Sequence, residues 1–337
     1  MRVVIDCMGG DNAPSEIVKG ALMAVKEYDV EIILVGDEER IKKEISEEYK
    51  NIMNRLQIIH TTEIITNDES PTLAIRRKKD SSMVVGLKYL KEGKADAFIS
   101  AGSTGALLAG GLFIVGRIDG IDRPCLAPVI PGENGHFMLL DSGANAECKP
   151  KNILQFGIMG SIYSKKVLGK ENPKVGLVNI GTEEEKGTEF IKQSFNMLKN
   201  SNINFIGNIE PREIPKGECD VVLSDGFVGN VILKLYEGVA QTIFDILKRE
   251  IYSSLIYKIG GAILKPVFKK FKRDFDYTEY GGAILLGVNK VVIKAHGSSN
   301  AKAIKNAVRQ SINCVKGNVI ELIREEIEKN KEVDSLI

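Results

Sequence analysis

No two glycines in the 337-residue chain are separated by a single residue, so the G-x-G-x-x-G dinucleotide fingerprint is absent. No G-x-x-x-x-G-K-[ST] run occurs either, which removes a P-loop nucleotide site. The three histidines, His60, His136 and His296, lie far apart and form no spaced zinc motif. The five cysteines (Cys7, Cys125, Cys148, Cys219, Cys314) are scattered, odd in number and without a C-x-x-C pair, as expected of reduced thiols in a cytoplasmic protein. Excess charge of one sign is also missing. With 46 basic and 45 acidic residues, the chain lacks the basic surplus of a nucleic-acid binder. The N-terminal "MRVVIDCMGGD" has no signal-peptide pattern. One uncharged stretch, Ala97 to Gly116, is long enough to suggest a membrane span. Its Ser100, Ser103, Thr104 and five glycines instead fit a buried strand, turn and helix.

What the chain does contain is an alternation of short apolar runs and helical segments. "RVVID", "EIILVG", "LQIIH", "DAFIS", "HFMLLD", "KVGLVNIG", "DVVLSDG" and "KVVIKAHG" are β-branched and lack strict alternation, as in strands buried on both faces of a mainly parallel sheet. Helical runs stand between them: one opening at Pro14, the charged "DEERIKKEISEEYK", and "NVILKLYEGVAQTIFDILKRE". The pattern predicts a layered αβα, Rossmann-like fold. No linker or repeat divides it, so residues 1–337 are expected to form one compact unit, with 251–273 protruding.

Six of the apolar runs end in loops that mix Gly with Asp, Asn, Ser or Thr: 6–14, 100–105, 141–145, 179–187, 224–230 and 296–300. In parallel sheets the carboxyl ends of the strands line the ligand crevice. The turn in "SAGSTGALLAGG" opens a helix, where exposed amides and the helix dipole favour an anion. Without nucleotide fingerprints, that anion is expected to be small or carried on another molecule. In "SPTLAIRRKKDSSM", Ser70 can cap a helix starting at Pro71, and Arg76, Arg77, Lys78 and Lys79 form a basic patch or a solvated face. Lys186 either reaches over the strand ends toward an anion or is one more solvated charge beside Glu183, Glu184 and Glu185. His296 sits at a strand end before a helix.

Residues 251–273 are basic and amphipathic. Tyr252, Leu255, Ile256, Ile259 and Ile263 recur at helical spacing, Pro266 interrupts them, and Phe268, Phe271 and Phe275 begin a second run. Six lysines and arginines and no acidic residue accompany them. This suits an interfacial helical hairpin on an anionic membrane. The stripe also suits a dimer interface or core helix, and the lysines suit an acidic carrier protein.

The motifs "DCMGGDNAP", "SPTLAIRRKKDSSM", "SAGSTGALLAGG", "LDSGAN", "VNIGTEEEKG", "SDGFVGNVILKLYEG" and "YGGAILLGVNKVVIKAHGSSNAKAI" occur in the order found in the bacterial phosphate acyltransferases of phospholipid synthesis, which the chain resembles over about residues 2 to 315. Cys7, where the family usually has Ala, and Ile284, where many members have Pro, are departures that carry no functional group the chemistry needs. The resemblance implies a fold similar to isocitrate and isopropylmalate dehydrogenases and to phosphotransacetylases. It implies acyl transfer from acyl carrier protein to inorganic phosphate, with no metal or organic cofactor and no nucleic acid. It further implies a homodimer that is cytoplasmic, visits the inner face of the membrane, and feeds acyl phosphate to a membrane glycerol-3-phosphate acyltransferase. On the matching motifs, the catalytic set would be Lys186, Asp225, Asn230 and His296. Substrate would be bound by Gly9, Gly10, Asp11, Lys78, Ser100, Gly102, Ser103, Thr104, Gly105, Asn145, Asn179, Gly181, Gly226, Gly297, Ser298 and Asn300. Lys186 would neutralise developing charge, Asp225 and Asn230 would position the thioester or order the loops, and Asp6 and Asp11 would hold the shape of the glycine loop. A phosphotransacetylase-like enzyme using acyl-CoA, a non-catalytic acyl-carrier or lipid-binding regulator, and a dehydrogenase on this fold are the competing readings.

Overall fold

A computed structural model of the protein describes residues 1–274 and 279–334; Phe275 lies outside the described residues. The strands are β1 (Arg2–Asp6), β2 (Glu31–Gly36), β3 (Leu56–His60), β4 (Ala97–Ser100), β5 (Cys125–Ala127) and β6 (Val129–Gly132). They continue as β7 (Gly135–Leu140), β8 (Val175–Val178), β9 (Phe205–Ile209), β10 (Val221–Leu223), β11 (Ala283–Leu286) and β12 (Val291–Lys294). They build two sheets, ordered β3-β2-β1-β4-β12-β11-β5 and β6-β7-β10-β8-β9. All eight apolar runs read from the sequence are strands, and they pair in parallel with one another. Only β11 in the first sheet and β6 in the second run against their neighbours.

The unforeseen strands are β5, β6, β9 and β11. Three of them depart from parallel-strand chemistry. β6 carries Pro131 and lies at a sheet edge, where proline is tolerated. β9, also an edge, contains Gly207 and an irregular register against β8. β11 is a four-residue run in a glycine-rich segment that gives no periodicity to read.

The strand residues divide between two hydrophobic layers because successive side chains face opposite ways. Val3 and Ile5 join the layer containing Ile17, Leu22, Ile304 and Val308. Val4 joins the layer containing Met83, Leu87 and Leu107. The first layer continues without a break into Met138, Leu140, Leu177, Val221 and Leu223, so one core runs through both sheets. The helix expected at Pro14 starts at Ser15, with Pro14 as the preceding cap residue. The charged segment after β2 is helical only over Glu38–Lys43, capped by Asp37, and resumes as a 3₁₀ turn over Glu47–Arg55. The stretch Ala97 to Gly116 is β4, a turn, the helix Thr104–Gly110 and a further turn of π type. Among the described residues, no helix is long and apolar enough to cross a membrane.

The helices Ser15–Glu27 and Ala301–Lys316 lie against each other at Gly20, where an added Cβ would meet Ala301 O at 2.5 Å and Ile304 Cβ at 2.6 Å. Gly20→Val is therefore expected to destabilise the fold by about 2 kcal/mol through overpacking, measured as a lower urea midpoint with an unchanged slope.

Candidate active site

All six polar loops follow strands β1, β4, β7, β8, β10 and β12 at their carboxyl ends. Because β1, β4 and β12 are neighbours in one sheet and β7, β10 and β8 in the other, the loops gather into two facing groups. A buried aspartate organises each group.

In the first group, Asp6 ends β1 at 2% exposure. Its Oδ1 accepts from the amides of Met8 and Gly9 at 3.1 Å each and from Ser82 Oγ at 2.6 Å; its Oδ2 accepts from Ser100 Oγ at 2.7 Å. Ser100 Oγ in turn accepts from the Gly102 amide at 3.0 Å. Two loops from neighbouring strands are thus tied through one carboxylate. Gly9 must be glycine for this approach, since a Cβ there would meet Asp6 Oδ2 at 2.6 Å and Gly102 N at 2.7 Å. Gly10, at φ +101°, turns the chain so that the Asp11 amide donates to Gly297 O at 2.8 Å, which draws in the third loop. The expected role of Asp6 as the loop's anchor is what the hydrogen bonds describe.

In the second group, Asp141 is fully buried and follows β7. Its Oδ1 accepts from the Leu126 and Ala144 amides at 2.9 and 3.1 Å, and its Oδ2 from Asn145 N and Nδ2 at 2.7 and 2.9 Å. Leu126 belongs to β5, so this carboxylate clamps the first sheet to the second. Burial pushes the Asp141 carboxyl above its usual range, and the four donors draw it back. Asn145 Nδ2 also donates to Pro124 O, and Asn145 O receives the Gly226 amide at 2.8 Å. Asp225 caps the long helix Gly226–Tyr252, accepting from the Val228 amide at 2.8 Å. Asn230, one turn further on, packs against Gly143.

Between the two groups opens a cavity of about 1440 Å³. Thr104, Gly105, Ser142, Gly143, Asn230, Lys294, His296 and Ser299 line its polar end, and the long helix walls the rest. Lys294, the last residue of β12, is 8% exposed. Its Nζ donates to the carbonyls of Ala101 (3.3 Å) and Ala295. An ammonium has three donors, so one remains for the cavity. Burial lowers the Lys294 pKa to about 8, against the pull of Asp6 and Asp11. Ser299 is 2% exposed, and its Oγ has no hydrogen-bond partner among the described residues. His296 is exposed, with Nδ1 bonded to Ser298 Oγ at 2.8 Å. Glu237 lines the cavity nearby, its carboxyl pushed up by burial and drawn back by His296 and Lys234. Among the described residues, no three His, Cys, Asp or Glu side chains cluster to hold a metal ion.

The structure brings only part of the expected site to this cavity. Thr104, Gly105, Asn230 and His296 line it. Gly9, Gly10, Asp11, Ser100, Gly102 and Gly297 shape the loops behind it. Ser103 and Asn300 are helix caps, bonded to the Ala106 and Ala303 amides. Asn179 is spent within its own loop on Lys186 O and the Ile180 amide, and Gly181 lies in that loop against Glu183 and Lys186. Gly226 is packed on Asn145 O and the Asp141 carboxylate. Lys78 is not at the cavity: its Nζ is paired with Glu69 at 2.6 Å and donates to Ile64 O. Lys186 is exposed on the 179–187 loop, outside the cavity lining. Ser70 makes no side-chain cap, although its helix does start at Pro71. In that basic motif, the residue that reaches the site is Ser82, through Asp6.

Lys294 escaped the sequence reading, and Asp141 and Ser299 were included in it only as members of the 141–145 and 296–300 loops. The signal for Lys294 was available, as a lysine closing an otherwise apolar strand immediately before a His-Gly-Ser-Ser loop. Nothing local separates Ser299 from Ser298, whose hydroxyl is taken by His296.

The fold defines a class. A phosphotransacetylase from Streptococcus pyogenes superposes with a TM-score of 0.60 at 17% identity, covering 95% of this chain and 94% of that one. A branched-chain phosphotransacylase from Enterococcus faecalis gives 0.55 at 14%, covering 94% and 100%. The architecture is therefore of phosphotransacetylase type. The chain also matches the family described as "Fatty acid synthesis protein" over residues 1–322. The phosphate acyltransferase of Clostridium tetani is 57% identical over 328 residues, covering 97% of this chain and 98% of that protein. That of Alkaliphilus oremlandii is 59% identical over 325 residues, covering 96% and 97%. The chain belongs to the phosphate acyltransferase family and is an acyltransferase.

The depressed pKa of Lys294 has a consequence for stability. Between pH 8 and 10.5 the unfolded chain keeps a proton that the folded lysine has lost, so the Lys294 contribution rises with pH across that window. Urea unfolding from pH 8 to 10.5 should show a gain of up to about 3 kcal/mol in the wild type that Lys294→Met lacks.

Proposed function

We propose that the protein transfers a fatty acyl group from acyl carrier protein to inorganic phosphate and releases acyl phosphate for phospholipid synthesis. The observation that carries this reading is a buried ammonium and an unpartnered buried hydroxyl, Lys294 and Ser299, at the polar end of a largely apolar cavity. Lys294 and Ser299 would hold the phosphate, with the 102–105 turn beside them. A phosphate oxygen attacks the thioester carbonyl carbon, the tetrahedral oxyanion forms, and the C–S bond breaks as the carbonyl returns. Phosphate is partly a dianion near neutral pH and needs no strong base to attack. The thiolate it expels belongs to a thiol of pKa about 8.5 and needs little help to leave. Juxtaposition and oxyanion stabilisation are then the main tasks.

Asn230, held on Gly143 at the cavity wall, orients the thioester in this reading, and Asp225 positions it by fixing the start of the same helix. His296 and Glu237 stand where a proton could be returned to the departing sulfur. Lys186, exposed on the loop after β8, is assigned the neutralisation of developing charge from the side of the other sheet. Phosphate-dependent thiol release from acyl carrier protein, with the product trapped by hydroxylamine as a hydroxamate, is the expected result; equal release without phosphate would make the protein a thioesterase. Faster release from acyl-CoA would favour the phosphotransacetylase-like alternative. In this assay Lys294→Met and Lys186→Ala should each lower turnover on the order of 10²-fold in a folded protein.

We further propose that the protein is a cytoplasmic homodimer docking reversibly on anionic membrane, where it passes acyl phosphate to a membrane glycerol-3-phosphate acyltransferase. A dimer is supported by the outer face of the long helix, where Phe227, Val231, Leu235, Val239, Ile243 and Ile246 form an exposed apolar stripe over about five turns. Docking is supported by the consecutive helices Leu255–Ile263 and Lys265–Asp274, which fold back on Gly226–Tyr252 as the second arm of a helical hairpin. No residue of the first is buried; Leu255, Ile256 and Ile263 are 74%, 78% and 74% exposed. Ile259→Glu/Ile263→Glu should abolish co-sedimentation with anionic liposomes while phosphate-dependent turnover in solution persists; retained binding by the folded variant would exclude docking through this stripe.

A further inference from the structure

The cavity extends well beyond the polar site. One face of the helix Gly226–Tyr252 lines it from Asn230 to Tyr252, where Leu233, Ala240, Phe244, Leu247 and Ile251 form an apolar strip beside a polar row of Lys234, Glu237, Gln241, Asp245 and Lys248. The opposing wall comes from the hairpin, where Lys258, Gly261, Ala262, Lys265 and Phe268 recur at helical spacing. The walls converge at two points. Phe244 meets Phe271 with ring centroids 5.4 Å apart, and Gly261 lies so close to Ile251 that an added Cβ would stand 2.5 Å from Cγ2.

We propose that this apolar reach is the acyl-chain subsite, and that Ala240 and Phe244 set the chain length the enzyme accepts. The inference rests on the acyl-transfer reading and deepens it. A thioester carbonyl at the polar end directs its chain along the long helix, because the cavity is continuous in that direction and the strip Leu233, Ala240, Phe244, Leu247 and Ile251 offers it apolar surface throughout. At a rise of 1.5 Å per residue, Ala240 stands about 15 Å and Phe244 about 21 Å beyond Asn230. One leaflet of a bilayer core is about 15 Å deep. A chain of membrane length therefore ends between Ala240 and Phe244. The methyl of Ala240 leaves room for it, and the Phe244 ring, packed against Phe271, narrows the channel beyond.

The test compares hexanoyl and hexadecanoyl thioesters of acyl carrier protein with wild type, Ala240→Phe and Phe244→Ala. Each buried methylene is worth about a fourfold factor in binding, and a phenyl ring at position 240 displaces several. Ala240→Phe is expected to lower kcat/KM for hexadecanoyl about 100-fold relative to hexanoyl, with hexanoyl turnover retained as the check on folding. Phe244→Ala should keep hexadecanoyl transfer and gain on icosanoyl thioester. An unchanged length profile in both variants, or an equal loss for both lengths, would overturn the subsite. Equilibrium binding of a fluorescent long-chain fatty acid separates this from the function itself. A wild type inactive with both thioesters would refute the acyl-transfer reading, yet the subsite would stand if Ala240→Phe still abolished fatty-acid binding. Equal fatty-acid binding by wild type and Ala240→Phe would overturn the subsite whatever the activity.

Discussion

The carboxylate of Asp141 is the point on which the two sheets meet. It receives the Leu126 amide from β5 of one sheet while standing at the end of β7 in the other, and its remaining lone pairs shape the loop through Asn145. A fully buried carboxylate is costly to desolvate and survives only because its oxygens are met by donors. The same four donors fix the relative placement of the two groups of loops. Asp6 repeats the device on the other side of the cavity, joining β1, β4 and the helix Ser82–Lys91 through Ser82 and Ser100. The site is held by two buried anions, and the glycines around them are there because the backbones must pass within contact distance.

That rigidity suits a reaction that asks for placement more than for acid–base chemistry. The buried cation, Lys294, is held on main-chain carbonyls at the ends of β4 and β12, and the anions that steady it are the residues that shape the loops. Charge, loop geometry and strand order are therefore one construction. The long helix connects it to the periphery. Its cap, Asp225, is at the site, one of its faces lines the cavity, the opposite face is exposed and apolar, and its far end leads into the basic hairpin. A chemical centre, an apolar channel and a surface patch thus share a single element.

The eight parallel strands and six polar loops were legible because burial on both faces and turn chemistry leave local marks in composition. The helix opening at Thr104 was legible for the same reason, and so was the exposed basic helical segment after Tyr252, though not its folding back on the long helix. The strands β5, β6, β9 and β11 were not, since proline or glycine interrupts or flanks them and their pairing is decided by distant partners. The division into two sheets followed from those strands and was equally hidden.

The sequence by itself determined the layered α/β architecture, the gathering of polar loops at strand ends, the absence of nucleotide fingerprints and the family. Only the tertiary structure decided which charges stand at the cavity. Lys78 looked available and is paired with Glu69, whereas Lys294 looked like the end of a strand and is the buried cation at the polar end of the cavity. Ser298 and Ser299 are adjacent and chemically identical, yet one is bonded to His296 and the other is left open. The physical reason is that a strand's local pattern records which faces are buried but not which strands become neighbours. A side chain's partners, and with them its function, are set by that pairing.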